Sequence, residues 1–264
     1  MSNNSSLRLA SVKAHVRAIT VAALALVRTA SAQGAVAVSA EPHHHLTWTD
    51  SLVRVFRVEV PPRSATQLHE HAVDYFWIAV GASEFVNAVA GKPETRVTAP
   101  DASVHFTRGG FAHIARNEGD APFFNVTFEL LRPQANPRNL CEQVVPGEPG
   151  DCQRAMAIAR EEFNGAPVRP EFETDQLSVA LLAIDPNGTL QLAPAADPVL
   201  IVSVDDTSGE ATLRCDVLGT ASRTTLGSRS GDVSALPKAV QCAIRNPGQS
   251  RVRLLALDFK PSAR

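Results

Sequence analysis

Residues 67–80 read Gln67-Leu68-His69-Glu70-His71-Ala72-Val73-Asp74 followed by Tyr75-Phe76-Trp77-Ile78-Ala79-Val80. A strand directs residues i and i+2 to the same face, so His69 and His71 look into one space. A second block, Gly110-Phe111-Ala112-His113, ends at Asn117 and brings a third imidazole from a different strand. Three imidazoles with Asp74 close behind make a ligand pattern for one divalent ion, with Zn, Fe, Mn, Ni and Cu all open. A purely structural histidine cluster is disfavoured, because burying imidazoles costs free energy unless each finds a partner.

The chain carries a second, degraded copy of this unit. Residues 191–204, QLAPAADPVLIVSV, align with 67–80 at an offset of 124. Residues 233–248, VSALPKAVQCAIRNPG, align with 104–119, VHFTRGGFAHIARNEG, at an offset of 129. Two blocks agreeing in order and nearly in spacing mark a duplication, with a longer loop near 217–230. The seven histidines that follow residue 32 all fall in the first half of the chain, and the second copy has none. Ala193, Ala195 and Cys242 stand where His69, His71 and His113 do, and Pro198 faces Asp74. Features common to both copies, Arg116-Asn117 with Gly119 and Arg245-Asn246 with Gly248, read as structural. Features of the first copy alone, His69, His71, Asp74 and His113, read as functional.

Each copy parses into short strands rich in Val, Phe, Ile and Ala, punctuated by Gly, Pro, Asn and Asp. Strands are predicted at 52–60, 75–80, 84–90, 111–117 and 123–131, with counterparts at 177–184, 198–204, 210–217, 240–246 and 251–259. This punctuation predicts an all-β chain of two tandem antiparallel barrels or jelly rolls. The predicted division is a 1–32 leader, a 33–50 arm, a 51–131 metal-binding domain, a 132–172 linker and a 173–264 degenerate domain. A helix is predicted at 153–163 (QRAMAIAREEF), where Ala and Arg favour that state.

Arg8, Lys13 and Arg17 precede a ten-residue run, Ala18–Val27, that is apolar apart from Thr20, and Ala30-Ser31-Ala32 is a small-x-small cleavage site. That is the form of a secretory signal, too short to span a membrane, and it predicts a periplasmic or secreted protein. Removing the four basic leader residues leaves 21 Lys+Arg against 27 Asp+Glu, a formal net of −6. With no basic cluster left, nucleic acid and anionic membrane are excluded as expected partners. The four cysteines, Cys141, Cys152, Cys215 and Cys242, predict two disulfides in an exported chain, with three pairings open. Cys141 and Cys152 flank a ten-residue Pro/Gly-rich loop that a bridge closes easily.

The histidine blocks resemble the two motifs of the cupin superfamily, G(x)5HxH(x)3–4E(x)6G and G(x)5PxG(x)2H(x)3N. His69 and His71 match the first, with Asp74 in the glutamate's place and Gly81 six residues on. Gly110, His113 and Asn117 match the second. The resemblance implies a bicupin with a metal-binding N-terminal cupin and a degenerate C-terminal one. The departures are a loop one residue short before Asp74, Arg63 and Ala102 for motif glycines, and Arg108 for the proline. The second copy keeps Gly231 and Pro237 at the last two of these positions. In such rolls the strand of Cys242 lies beside that of Cys215, which implies a Cys215–Cys242 bridge.

The functional expectation is an exported metal-dependent enzyme acting on a small organic substrate, with oxygenase-type, oxidoreductase chemistry placed first and lyase or isomerase chemistry as alternatives. Asp74 is expected as fourth ligand or as base beside the ion. A non-catalytic cupin that holds a metal or small ligand is the second reading, and homo-oligomer formation stays open. His43-His44-His45 reads as part of the arm, and His105 as structural. If Asp74 points inward, Phe76, Ile78 and Val80 line the cavity and Phe76 is its best wall. Arg54, Arg96 and Arg108 are candidates for a substrate carboxylate. Asn125, Thr127 and Glu129 form a polar face without an assigned destination. The second copy's cavity is expected to be smaller and more apolar.

Overall fold

Alternating apolar residues build four sheets that pack as two sandwiches. The computed structural model describes residues 34–162, 168–195, 197–208, 213–236, 238–239 and 241–260, so the leader read at 1–32 lies outside the described residues. In the first lobe, one sheet runs Val36–Ala37, His69–His71, Phe111–Asn117, Ser83–Val89, Thr95–Ala99, with Ser64–Ala65 also on Phe111–Asn117. Its partner runs His44–Thr49, Val53–Val60, Phe123–Leu130, Tyr75–Val80, Val104–Thr107. The described residues are all-β apart from a short 3-10 turn and the helix Cys152–Glu162.

The second lobe repeats this order. Leu177–Ile184, Val252–Phe259, Val199–Ser203 and Val233–Leu236 lie side by side, as do Thr189–Leu192, Cys242–Arg245, Arg214–Val217 and Arg223–Thr225. The duplication extends to single side chains. Asn117 Nδ2 donates to the carbonyls of Val60, Pro61 and Ala121, and its Oδ1 accepts from Gly119 N. Asn246 does the same with Ile184, Asp185, Ser250 and Gly248. Both asparagines tie one strand end to the next, which is the structural role read for them.

The glycine departures also resolve. Backbone φ is positive at Arg63 (55°), Ala102 (64°) and Gly110 (83°), and at their second-copy counterparts Asn187 (58°), Gly231 (84°) and Ala239 (59°). The motif glycines thus mark left-handed turns. The turns persist here even where a side chain occupies them.

The lobes share one hydrophobic core. Phe76, Ile78, Val126 and Phe128 of the first pack against Phe172, Val179, Leu200 and Leu257 of the second. Phe106 and Phe172 meet across this boundary with ring centroids 5.4 Å apart. Arg253 Nη2 reaches Asp101 Oδ2 at 2.8 Å beside it. Disulfides join Cys141 to Cys152 and Cys215 to Cys242. No helix among the described residues is long and apolar enough to cross a membrane.

Candidate metal centre

Strand register brings the histidines together. His113 pairs directly with His69, and Phe111 with His71. His69, His71 and His113 are all buried, and their rings lie 4.4 to 5.4 Å apart. A fourth imidazole joins them. His44 pairs with Val58 on the facing sheet, and its ring sits 4.6 Å from that of His69. The ligand atoms of His44, His69 and His71 all lie within 4.8 Å of one another. His113 lies against His69 and His71 as well, with ring centroids 4.4 and 5.4 Å away, but outside that trio.

Three of the four imidazoles, His44, His69 and His113, are oriented by a hydrogen bond from behind. His69 Nδ1 lies 2.9 Å from the Gln67 carbonyl, an acceptor only, so Nδ1 carries the proton and Nε2 the lone pair. His113 Nδ1 lies 2.8 Å from Asn87 Oδ1 and His44 Nδ1 lies 2.6 Å from Glu41 Oε2. His71 stacks on Tyr75, centroids 4.0 Å apart, with Nδ1 at 3.6 Å from Glu129 Oε1. Nε2 of both His69 and His113 is buried without a hydrogen-bond partner. A buried acceptor left open is costly unless something occupies it. Several convergent lone pairs on one small cavity fit a divalent cation, and outward hydrogen bonds from the other ring nitrogen are how such ligands are held.

The electrostatics agree with neutral ligands. Burial lowers His69 to about 4. It lowers His113 to about 2, assisted by repulsion from the neighbouring imidazoles. Burial lowers His44 too, although Glu41 opposes this. Burial would raise Glu41, but hydrogen bonds from His44, Gln67 N and His43 N outweigh it and bring the carboxyl down to about 2. Glu129, fully buried, has Arg54 Nη2 at 2.8 Å from its Oε2.

The cavity they face measures about 40 Å³, and Tyr75, Trp77, Phe85, Phe123, Asn125 and Thr127 complete its wall. The wall differs from the sequence reading. Tyr75 and Trp77 face the histidines, whereas Phe76 and Ile78 point into the core between the lobes. That reading took its phase from an inward Asp74. The structure places the Asp74 carboxylate at the strand entrance instead. Its Oδ2 accepts from Arg108 Nη1 at 2.7 Å and its Oδ1 from Gly109 N at 3.1 Å. The short loop after His71 and the arginine at a motif proline position favour this. Arg54, Arg96 and Arg108 all have carboxylate partners within the chain. His105 stacks on Trp77 and stays apart from the cluster.

Sequence reasoning missed His44, Glu41 and the destination of Asn125, Thr127 and Glu129. The alternation of the last three was visible, and it does face the site. His44 lay in a stretch read as an arm, yet His44–Thr49 is a paired strand and Glu41 is 2 % exposed.

In the second lobe Ile201, Cys242, Ile244, Val252 and Leu254, the counterparts of Trp77, His113, Ala115, Phe123 and Asn125, pack into that lobe's own apolar core. A groove of about 440 Å³ opens beside them, lined by Ala193, Ala195, Val199, Ala256 and Asp258 and by Ala155, Ile158 and Ala159 of the helix.

No family model and no curated protein matches the sequence. Solved structures do match. AerE from Microcystis aeruginosa is 9% identical with a TM-score of 0.59, over 83% of this chain and 94% of that one. Salicylate 1,2-dioxygenase from Pseudoaminobacter salicylatoxidans is 14% identical with a TM-score of 0.51, over 79% and 68%. YhaK from Escherichia coli is 11% identical with a TM-score of 0.51, over 82% and 88%. At these identities the likeness shows the fold, and the fold is the cupin fold.

Proposed function

We propose that this chain is an exported, metal-dependent cupin whose N-terminal lobe holds one divalent ion on His69, His71 and His113 and turns over a small organic substrate, with oxygenase-type chemistry first. The observation that carries the metal assignment is the pair of buried Nε2 atoms, on His69 and His113, that lack any partner while Nδ1 of each ring is tied behind. An ion bound there would supply Lewis acidity toward a substrate or oxygen ligand. Tyr75, Trp77, Phe85 and Phe123 exclude bulk water from that space. Asn125 and Thr127 offer polar contacts to a substrate at the opposite wall, with Thr127 Oγ1 donating to Asn125 Oδ1 at 2.7 Å. Asp74 positions the turn that launches the His113 strand, through Arg108 and Gly109 N. The two disulfides support an oxidising compartment.

The size of the cavity favours a second reading, a protein that holds its ion without turnover. At about 40 Å³ it takes an ion and a water or two, well below the roughly 300 Å³ where ligand pockets begin. Metal analysis of protein isolated from the exported fraction tests the centre. About one ion per chain is expected, and none in a folded His69→Ala, His71→Ala double variant. Full occupancy of the double variant would sink the assignment. Oxygen uptake and product formation with small hydroxy and oxo acids, before and after removal of the metal, separate turnover from holding.

A further inference from the structure

We infer that His44 is a fourth ligand of the centre, delivered by the N-terminal strap, so that filling the site locks residues 36–48 onto the first lobe. The inference rests on the metal reading above. Three independent observations place His44 there. Its ligand atom lies within 4.8 Å of those of both His69 and His71, a closeness His113 does not share with that pair. Its side chain is buried, with its ring 5.9 Å from His71 and 4.6 Å from His69. Its Nδ1 is held at 2.6 Å by Glu41 Oε2, which leaves Nε2 as the nitrogen that can offer a lone pair.

The position is built, and Glu41 is its organising residue. Glu41 is 2 % exposed and, among the described residues, has no arginine or lysine partner. Its Oε1 accepts from Gln67 N at 3.0 Å, and Oε2 accepts from His43 N at 2.8 Å. One carboxylate therefore binds the strap to the residue two before His69 and aims His44 at the same time. Upstream, Val36 pairs in parallel with His69, and Val38 is buried among Phe56, Val58 and Phe123. The strap thus covers both the edge and the wall of the histidine strand.

This assigns the job that Asp74 leaves open. With Asp74 committed to Arg108 and Gly109, the strap imidazole supplies the further donor beside His69 and His71. Four neutral nitrogens add no negative charge to the ion, and an imidazole set suits Zn, Co, Ni and Cu better than the hard cations Mg and Ca. Glu41 stands behind a ligand instead of on the ion, where its hydrogen bond fixes the His44 ring.

Cobalt(II) alone, added to chelator-stripped mature protein, is the probe. Visible absorption reports ligand number, titration reports affinity, and hydrogen exchange reports the strap. His44→Ala is expected to weaken cobalt binding by about ten-fold or more and to change the visible bands, while His45→Ala, at an exposed neighbour, leaves both unchanged. Glu41→Gln is expected to weaken binding by about 10–100-fold, the usual range for a partner behind a ligand. Exchange at 36–48 is expected to slow on cobalt addition in the unsubstituted chain. An identical affinity and spectrum in folded His44→Ala, or a strap that exchanges equally with and without cobalt, overturns the inference and leaves the three-histidine centre standing. Failure of the unsubstituted chain to bind cobalt at all overturns both. Should His44→Ala not fold, Glu41→Gln and the strap exchange decide.

Discussion

Phe172→Ala is the sharpest test of how the two lobes depend on each other. Phe172 is fully buried, belongs to the second lobe, and packs on Phe106 of the first with centroids 5.4 Å apart. Removing a buried phenyl ring costs about 3–5 kcal/mol through lost burial and the cavity left behind. Domains of ordinary stability hold only about 5–15 kcal/mol in total. The loss is therefore a large part of whatever stability the shared core provides. Both tryptophans, Trp48 and Trp77, lie in the first lobe, so fluorescence reports that lobe alone. Far-ultraviolet circular dichroism reports both.

If one core serves both lobes, denaturant unfolding of Phe172→Ala shifts the tryptophan and dichroism transitions together, by that amount. Leu190→Ala offers the control. Leu190 is buried in the second lobe's own core with Ile201, Leu213 and Ile244. Its loss, about 2–5 kcal/mol, is expected to move the tryptophan transition as well, because the lobes unfold as one. A tryptophan transition that stays put in both variants while dichroism splits into two steps would refute the shared-core account. The second lobe would then be a passenger.

Three further outcomes follow from particular residues. Ala102 holds a left-handed φ of 64° where the second copy has Gly231 at 84°; Ala102→Gly relieves about 1–2 kcal/mol of backbone strain against about 0.5–1 kcal/mol of added chain entropy, so a small rise in melting temperature is expected and a clear fall would contradict it. Burial raises Glu171 to about 7 against Arg169's opposition; the folded state then holds a proton that the unfolded state has released between about 4.5 and 7, so stability is lost as pH rises through that window, by at most about 3 kcal/mol. Glu171→Gln removes this dependence, and parallel stability–pH curves for the two proteins would count against it. Asp74→Ala loses the acceptor of Arg108 and Gly109 N and is expected to cost about 1–3 kcal/mol while saturating metal content stays near one per chain; a stable variant that cannot be loaded would return Asp74 to the ion.

Much of this was readable from periodicity. The helix was expected at 153–163 and spans Cys152–Glu162, and strands such as Tyr75–Val80 and Phe111–Asn117 have the expected bounds. Among the strands that escaped, Thr95–Ala99, Val168–Glu173 and Arg223–Thr225 sit at or near sheet edges, where Thr, Arg and Glu replace the apolar alternation. His44 escaped because nothing local distinguishes a strap from an arm; only Glu41 and the distant Gln67 fix it. The orientation of Tyr75–Val80 was inverted because period-two alternation gives two faces and does not say which is inside. With apolar residues on both faces, the choice went to Asp74. In the folded chain the deciding contacts are the neighbouring lobe for Phe76 and the His71 ring for Tyr75.

The comparison of the two copies explains why one site persisted and the other could lapse. The asparagine ties and left-handed turns recur in both, so the roll does not depend on the histidines. Replacing His69 and His71 with alanines at 193 and 195 therefore costs the second roll its chemistry and leaves its sheets intact. Its interior stays filled by apolar side chains, Ile201, Cys242, Ile244, Val252 and Leu254 among them. The face of that lobe turned toward the first is equally dense, with Phe172, Leu177, Leu200 and Leu257 at or near zero exposure. Cohesion comes both from the roll's interior and from the boundary between the lobes. A second lobe of this kind is held in place by what it covers, which is the outer face of the sheet whose inner face carries Asn125, Thr127 and the wall of the histidine cavity.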